Sequence, residues 1–183
     1  MTKLADQLNT LEATVIDTAS AEKDKSDTAR VHFETTQDVD HLRVMQKALT
    51  KSKYVSKLAK VSDKSKKFIA KTFAIEALQE IFKASYSVDK LIELSNALTQ
   101  KSKSELTSDV MQNMIATLAA SNSAEIRFSE FSAAVAHKTD TQVSQTLRLL
   151  QRINVVSSYS RAKNEVHVNS DSKVLAEIHK LYE

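Results

Sequence analysis

The chain has no glycine and no proline in 183 residues. Average usage would supply roughly 13 of the first and about 9 of the second. Without glycine, every turn that needs a positive φ must use a residue with a Cβ, and asparagine and aspartate tolerate that best. Glycine-rich phosphate loops, dinucleotide fingerprints and nucleophile elbows are excluded, because each needs backbone that only glycine permits. Without proline, nothing in the sequence breaks a helix outright, so a mostly α-helical protein is the starting expectation.

Cysteine is also absent, which removes disulfides, thiolate zinc sites and cysteine nucleophiles. The chain has no run of 18 apolar residues and no apolar segment near its start. An intracellular protein with no membrane span and no signal peptide is expected. The formal net charge is only +3, but it hides segregation. Residues 1–40 hold nine acidic and four basic side chains, whereas residues 41–71 hold ten basic and one acidic, Asp63. Eight lysines, from Lys51 to Lys71, crowd into 21 residues. An acidic leader beside a basic block leads to the expectation that the leader folds over the block and weakens anion binding until displaced.

Apolar spacing marks a series of helices. Leu4, Leu8, Leu11 and Val15 define one over 3–16. Residues 17–37 lack sustained periodicity and read as a linker or partly ordered arm. Val39, Leu42, Met45 and Leu49 resume the pattern. A long helix follows at about 65–84, then others at 88–100 and 105–120, with Ser87 and Ser104 as expected N-caps. Met111 and Met114 read as core.

The grammar changes after Ser121. EIRF at 125–128 alternates as a strand, and SEFSAAVAHK at 129–138 reads as a short helix with Ser129 as N-cap. Thr139 and Asp140 punctuate the next helix, 141–153. At 100° per residue Val143, Leu147 and Leu150 fall together, while Thr141, Gln145, Arg148 and Arg152 fall opposite, with Ser144 beside them. VVSSYS and EVHVN then alternate as strands around the tip RAKN, where Asn164 is best suited to positive φ.

Helix, strand, helix, turn, helix and hairpin over about 105–169 resemble the winged helix-turn-helix superfamily of DNA-binding proteins. The resemblance implies that helix 141–153 enters the major groove and that the hairpin 155–168 touches the DNA backbone or the minor groove. Thr141, Ser144, Gln145, Arg148 and Arg152 would then face the DNA, with Arg161, Lys163 and Asn164 on the wing. Arginine bridging guanine and glutamine bridging adenine suit such readout. A second stretch, VSKLAKVSDKS, resembles the helix-turn-helix of lactose-repressor-type regulators within 53–72. Ala59 stands for the small residue packed between helices, Val61 for the buried residue of the turn and Ser62 for the N-cap, flanked by Val55 and Ser65. Lys60 and Lys66 depart from that pattern. Lys57, Lys60, Lys64, Lys66, Lys67 and Lys71 would supply phosphate contacts here.

The five histidines are scattered without metal-binding spacing, and nothing arranges a catalytic set, so no cofactor, no metal and no enzymatic activity are expected. The fold expected is mostly α: an acidic helix and linker (1–37), a basic helical region (38–103) and a winged helix with a small antiparallel hairpin (104–183). Helix 171–182, with Val174, Leu175, Ile178, Leu181 and Tyr182, either closes that domain or pairs with a second copy as a homodimer. The function expected is duplex DNA binding, as a transcriptional regulator or a replication or segregation factor, read by helix 141–153 and the wing 155–168 and assisted by the basic segment 41–71. The alternative is a non-enzymatic assembly protein, viral or part of a large complex, that docks protein through the winged helix.

Overall fold

A computed structural model describes residues 3–99, 109–121, 123–133 and 140–182. The described chain is mostly helical, with a small three-stranded antiparallel sheet. It divides into two compact units, Met1–Asp89 and Lys90–Glu183. The expected boundary at 103–104, Ser104 and Thr139 lie outside the described residues.

Unit 1 is built on a helical hairpin of α1 (Lys3–Thr36) and α2 (Val39–Lys57). The linker expected at 17–37 is instead helical to Thr36. The apolar scan missed it because its seam is made of small residues. Ser26 and Ala29 of α1 are buried, as are Ala48 and Ser52 of α2. Hydroxyls cross the seam to backbone carbonyls, Ser26 Oγ donating to Met45 O at 3.1 Å and Ser52 Oγ to Ala19 O at 2.8 Å. Such bonds need helices that approach closely, which small side chains allow. The hairpin turns at Gln37, φ 58°, and the Asp38 side chain caps α2 by accepting from the Asp40 N–H.

A 3₁₀ turn (Leu58–Lys60) leads to α3 (Asp63–Thr72) and α4 (Ile75–Phe82). These two replace the single helix expected over 65–84. Phe73 and Ala74 are extended, with ψ of 133° and 154°. In one continuous helix Ile69 and Leu78, nine residues apart, would point about 180° apart. Two extended residues reset the phase, and both side chains are fully buried. Leu11 and Val15 of α1 are also buried, and α1 packs on α3 and α4. Helix α5 (Ser85–Thr99) crosses the boundary between the units. Ser87, expected as its N-cap, lies inside it with a buried hydroxyl.

Unit 2 continues with α6 (Asp109–Ala120), β1 (Glu125–Arg127), α7 (Phe128–Ala133), α8 (Asp140–Arg152), β2 (Val156–Ser160), β3 (Glu165–Val168) and α9 (Lys173–Tyr182). The sheet order is β1-β3-β2, antiparallel throughout. Ile126, Val166 and Tyr159 share one face, Ile126 and Val166 being buried. The core gathers Met111, Met114 and Leu118 of α6, Phe131 of α7 and Leu147 and Leu150 of α8. Val174, Leu175 and Ile178 of α9 are buried and α9 packs on α6, so this stripe closes the unit at those positions.

Two asparagines replace glycine in unit 2. Asn154, φ 60°, ends α8, and the Val155 N–H donates to Leu150 O at 2.8 Å. Asn164, φ 59°, closes the β2–β3 turn. Its side chain also caps α7, accepting from the Ser129 N–H at 2.7 Å and donating to Ser129 Oγ at 3.2 Å. The cap expected from Ser129 itself thus comes from a residue 35 positions away.

Asn164→Gly should keep the turn and lose the cap, costing about 1 kcal/mol. Asn164→Ala should lose both and cost about 2 kcal/mol or more. Urea unfolding followed by circular dichroism checks the ordering of the two variants. Gln37→Gly relieves the positive φ of the α1–α2 turn but gives up the Nε2 donation to Glu34 O at 3.3 Å, so it should change stability by less than about 1 kcal/mol on the same measurement.

Candidate nucleic-acid interface

Helix α8 divides cleanly around its axis. Val143, Thr146, Leu147, Leu149, Leu150 and Ile153 are buried and occupy one arc of about 160°. Thr141, Arg148, Gln151 and Arg152 are exposed and Ser144 and Gln145 half-buried, filling the opposite arc of about 120°. The packed arc fixes the helix's rotation, so the polar arc is presented as a unit. Thr141, Ser144, Gln145, Arg148 and Arg152 do share this face, as their spacing indicates. Gln151 belongs to the same face and was not singled out from sequence. Its Nε2 donates to Ser157 O at 3.3 Å, tying α8 to β2. That bond depends on where β2 lies, which helical spacing does not show.

The β2–β3 turn carries Arg161, Ala162, Lys163 and Asn164, all exposed. The Asn164 N–H donates to Arg161 O at 3.2 Å, and the Lys163 N–H to Ser160 Oγ at 3.3 Å. Arg161 and Lys163 sit at the tip of the hairpin. Asn164 is placed there as well, but its amide is engaged by Ser129 of α7. Beside the tip, the solvent face of the sheet sets polar side chains opposite one another across strands. Arg127 faces Glu165 and Glu125 faces His167 in register, and His167 Nε2 lies 3.8 Å from Glu165 Oε2.

The lysines of unit 1 fall into two groups. Lys51 pairs with Glu22 across the α1–α2 seam, both side chains largely buried. Lys66 pairs with Glu12 at 3.3 Å, and Lys57 with Asp89 at 2.9 Å while lying 4.0 Å over the Tyr54 ring. Lys57 and Lys66 are therefore held within unit 1. Lys60, Lys64, Lys67 and Lys71 are exposed. Ser62 caps α3 as expected, its Oγ accepting from the Ser65 N–H at 3.2 Å. Ala59, expected between two helices, is exposed, and Val61 is only half-buried. The buried positions are Val55, Leu58 and Ser65, because the turn is three-residue 3₁₀ and rotates Ala59 outward.

The acidic leader does lie against the basic block. It reaches the lysines that face α1 and leaves the exposed row uncovered. Leu11 and Val15 make α1 part of the core, so it is not a detachable cover. Deleting residues 1–16 should remove two buried side chains worth about 1.5–3 kcal/mol each. The expected result is a lower thermal midpoint for unit 1, read by circular dichroism.

Among the described residues, no three His, Cys, Asp or Glu side chains come together as a metal site. None of the described helices is long and apolar enough to cross a membrane. A cleft of about 530 Å³ in unit 1 has an apolar floor that includes Leu11, Phe73 and Leu78. Its polar rim is Lys3, Asp6, Gln7 and Thr10, the Thr10 hydroxyl donating to Asp6 O at 2.7 Å. No family model, curated protein or solved structure matches this chain.

Proposed function

We propose that unit 2 is a winged helix that binds duplex DNA, with α8 as the reading helix and the 161–164 turn as the wing. One observation carries the reading. The polar arc of α8 holds hydroxyl, amide and two guanidinium groups in a row, on a helix whose other side is locked into a core. Helix–strand–helix–helix–hairpin is the order such a module needs, and β3 at the centre of the sheet ties the wing to the body. Arg148 and Arg152 suit guanine edges or phosphates, Gln145 suits adenine, and Thr141 and Ser144 suit phosphate oxygens. Lys163, at the tip, suits the backbone as a point charge. Such a protein works by binding and not by catalysis, inside a cell or a virion.

A second reading is favoured by one fact. Residues 122–183 hold eight basic and seven acidic side chains, a weak field for a polyanion. On that reading the same face of α8 docks protein.

Fluorescence anisotropy on a random 30-base-pair duplex, from 50 to 200 mM salt, separates the two. Arg148→Ala/Arg152→Ala should weaken binding at least 10-fold at 50 mM salt and flatten the salt slope by about 1.8, since on a random duplex the two guanidinium groups act as phosphate contacts. Lys163→Ala should flatten the plot of log affinity against log salt by about 0.9. Wild-type affinity in the double arginine variant overturns the role of α8. No binding by the folded protein at 50 mM salt overturns the DNA reading in favour of docking.

A further inference from the structure

The lysines of α3 were crowded in sequence, and the fold sorts them by direction. Taking Lys64 as zero, Lys67 and Lys71 lie within about 60° of it, whereas Lys66 lies about 200° away. Lys66 falls on the side of buried Ile69 and Ala70, where Glu12 meets it. Lys64, Lys67 and Lys71 form a single row, and Lys60 precedes them in the 3₁₀ turn. All four are exposed. Within α3 the row spans roughly 10 Å from Lys64 to Lys71. Over that length duplex DNA carries about six phosphate charges.

We propose that Lys60, Lys64, Lys67 and Lys71 form a second contact for duplex DNA, binding the phosphate backbone without regard to sequence. The proposal rests on the reading that the chain binds duplex DNA, and places part of its affinity in unit 1.

Three features fit a polyphosphate. The row contains no arginine fork, so it offers point charges that accept phosphates in many orientations. It carries no large exposed apolar side chain, the exposed ones among the described residues lying on α1 and α2. A membrane surface needs an apolar face to insert, whereas Ile69 and Ala70 of α3 are already buried in unit 1 and Phe68 is half-buried. The acidic helix α1 meets lysines on the other side of α3, so charge complementarity inside the protein leaves the row facing solvent.

The test uses the full chain and the random 30-base-pair duplex. Lys64→Gln/Lys67→Gln/Lys71→Gln keeps helix propensity and removes three charges from solvent-facing positions. Each lost phosphate contact should reduce the salt slope by about 0.9, so the triple variant should lose about 2.7. Lys57→Gln, which alters a lysine already engaged by Asp89, should leave the slope within about 0.3 of wild type. A triple variant with the wild-type slope overturns the proposal. So does a slope lost equally in Lys57→Gln, because charge number and not the row would then be at work. If the triple variant unfolds by circular dichroism, the single variants should each lose about 0.9 instead, and unchanged slopes in all three overturn the proposal.

The two DNA sites fail separately. Loss of slope in the triple variant with wild-type affinity in Arg148→Ala/Arg152→Ala keeps the row and rejects α8. The reverse pattern rejects the row alone, and no binding by the wild type rejects both. Phosphatidylserine vesicles are the remaining arm. Binding to them that the triple variant abolishes, with duplex binding untouched, overturns the nucleic-acid assignment.

Discussion

Among the described residues, three with left-handed backbone set the turns of this architecture, and none is glycine. Gln37 reverses the chain between α1 and α2, Asn154 ends α8, and Asn164 closes the β2–β3 turn. An L-residue in this conformation costs roughly 1–2 kcal/mol, so it persists only where neighbours determine it. Asn154 is held by the bond from the Val155 N–H to Leu150 O and by Asn169 Nδ2, which donates to Asn154 O at 3.2 Å. Asn164 is held by its amide on Ser129. Gln37 depends on its N–H donating to Phe33 O at 2.8 Å and on the cap that follows at Asp38. Asn154 leads the chain from α8 into β2, and Asn164 both closes the β2–β3 turn and anchors α7.

Electrostatics follow the same economy. A Lys-rich segment next to an acidic helix would, in an extended chain, be a generic polyanion binder beside a generic decoy. Folding makes the assignment specific. Helical phase turns Lys51 and Lys66 toward Glu22 and Glu12, and turns Lys64, Lys67 and Lys71 away. The Lys51–Glu22 pair is largely buried, so removing either partner would strand a charge. The exposed row contributes little to stability, because solvent screens it. Structural and surface lysines therefore differ in consequence although they are neighbours in sequence. The formal charge of +3 is silent about this, since it sums groups that are spent with groups that are displayed.

Legibility in the sequence tracked the range of the interaction. The arcs of α8 were readable because 100° per residue is a local rule and its apolar residues are large. Positive φ at Asn164 was readable because the tip RAKN offers no better residue. Three features were not. The continuation of α1 through residues 17–36 rests on Ala29 and Ser26 meeting Ala48 and Ser52, and small residues give no hydropathy signal. The break at Phe73 and Ala74 answers a phase conflict between Ile69 and Leu78 that exists only once both must face one core. The cap on Ser129 comes from Asn164, 35 residues on, and no local pattern announces a partner at that distance. The lysine row was half legible: the charge was plain, while the exclusion of Lys57 and Lys66 needed the positions of Asp89 and Glu12.

The hairpin also explains where the apolar surface of the described residues went. The large hydrophobic side chains with the greatest exposure are Ile16, Val31, Val39, Val44 and Leu49, all on α1 or α2. Beyond the base, where α1 also meets α3 and α4, each helix of the arm has a single neighbour, so Val31, Val39 and Val44, off the seam, face water. On α2, Val39, Val44 and Leu49 point about 140° apart from one to the next, which spreads them around the helix. Apolar residues dispersed in this way make no contiguous docking patch. The seam itself buries mainly alanine and serine, and alanine contributes far less on burial than leucine or valine. The outer part of the arm therefore draws its order from its base, where Leu11, Val15, Val55 and Leu58 are buried. A perturbation at that base propagates outward along both helices, while one at the Gln37 turn opens only the end it joins.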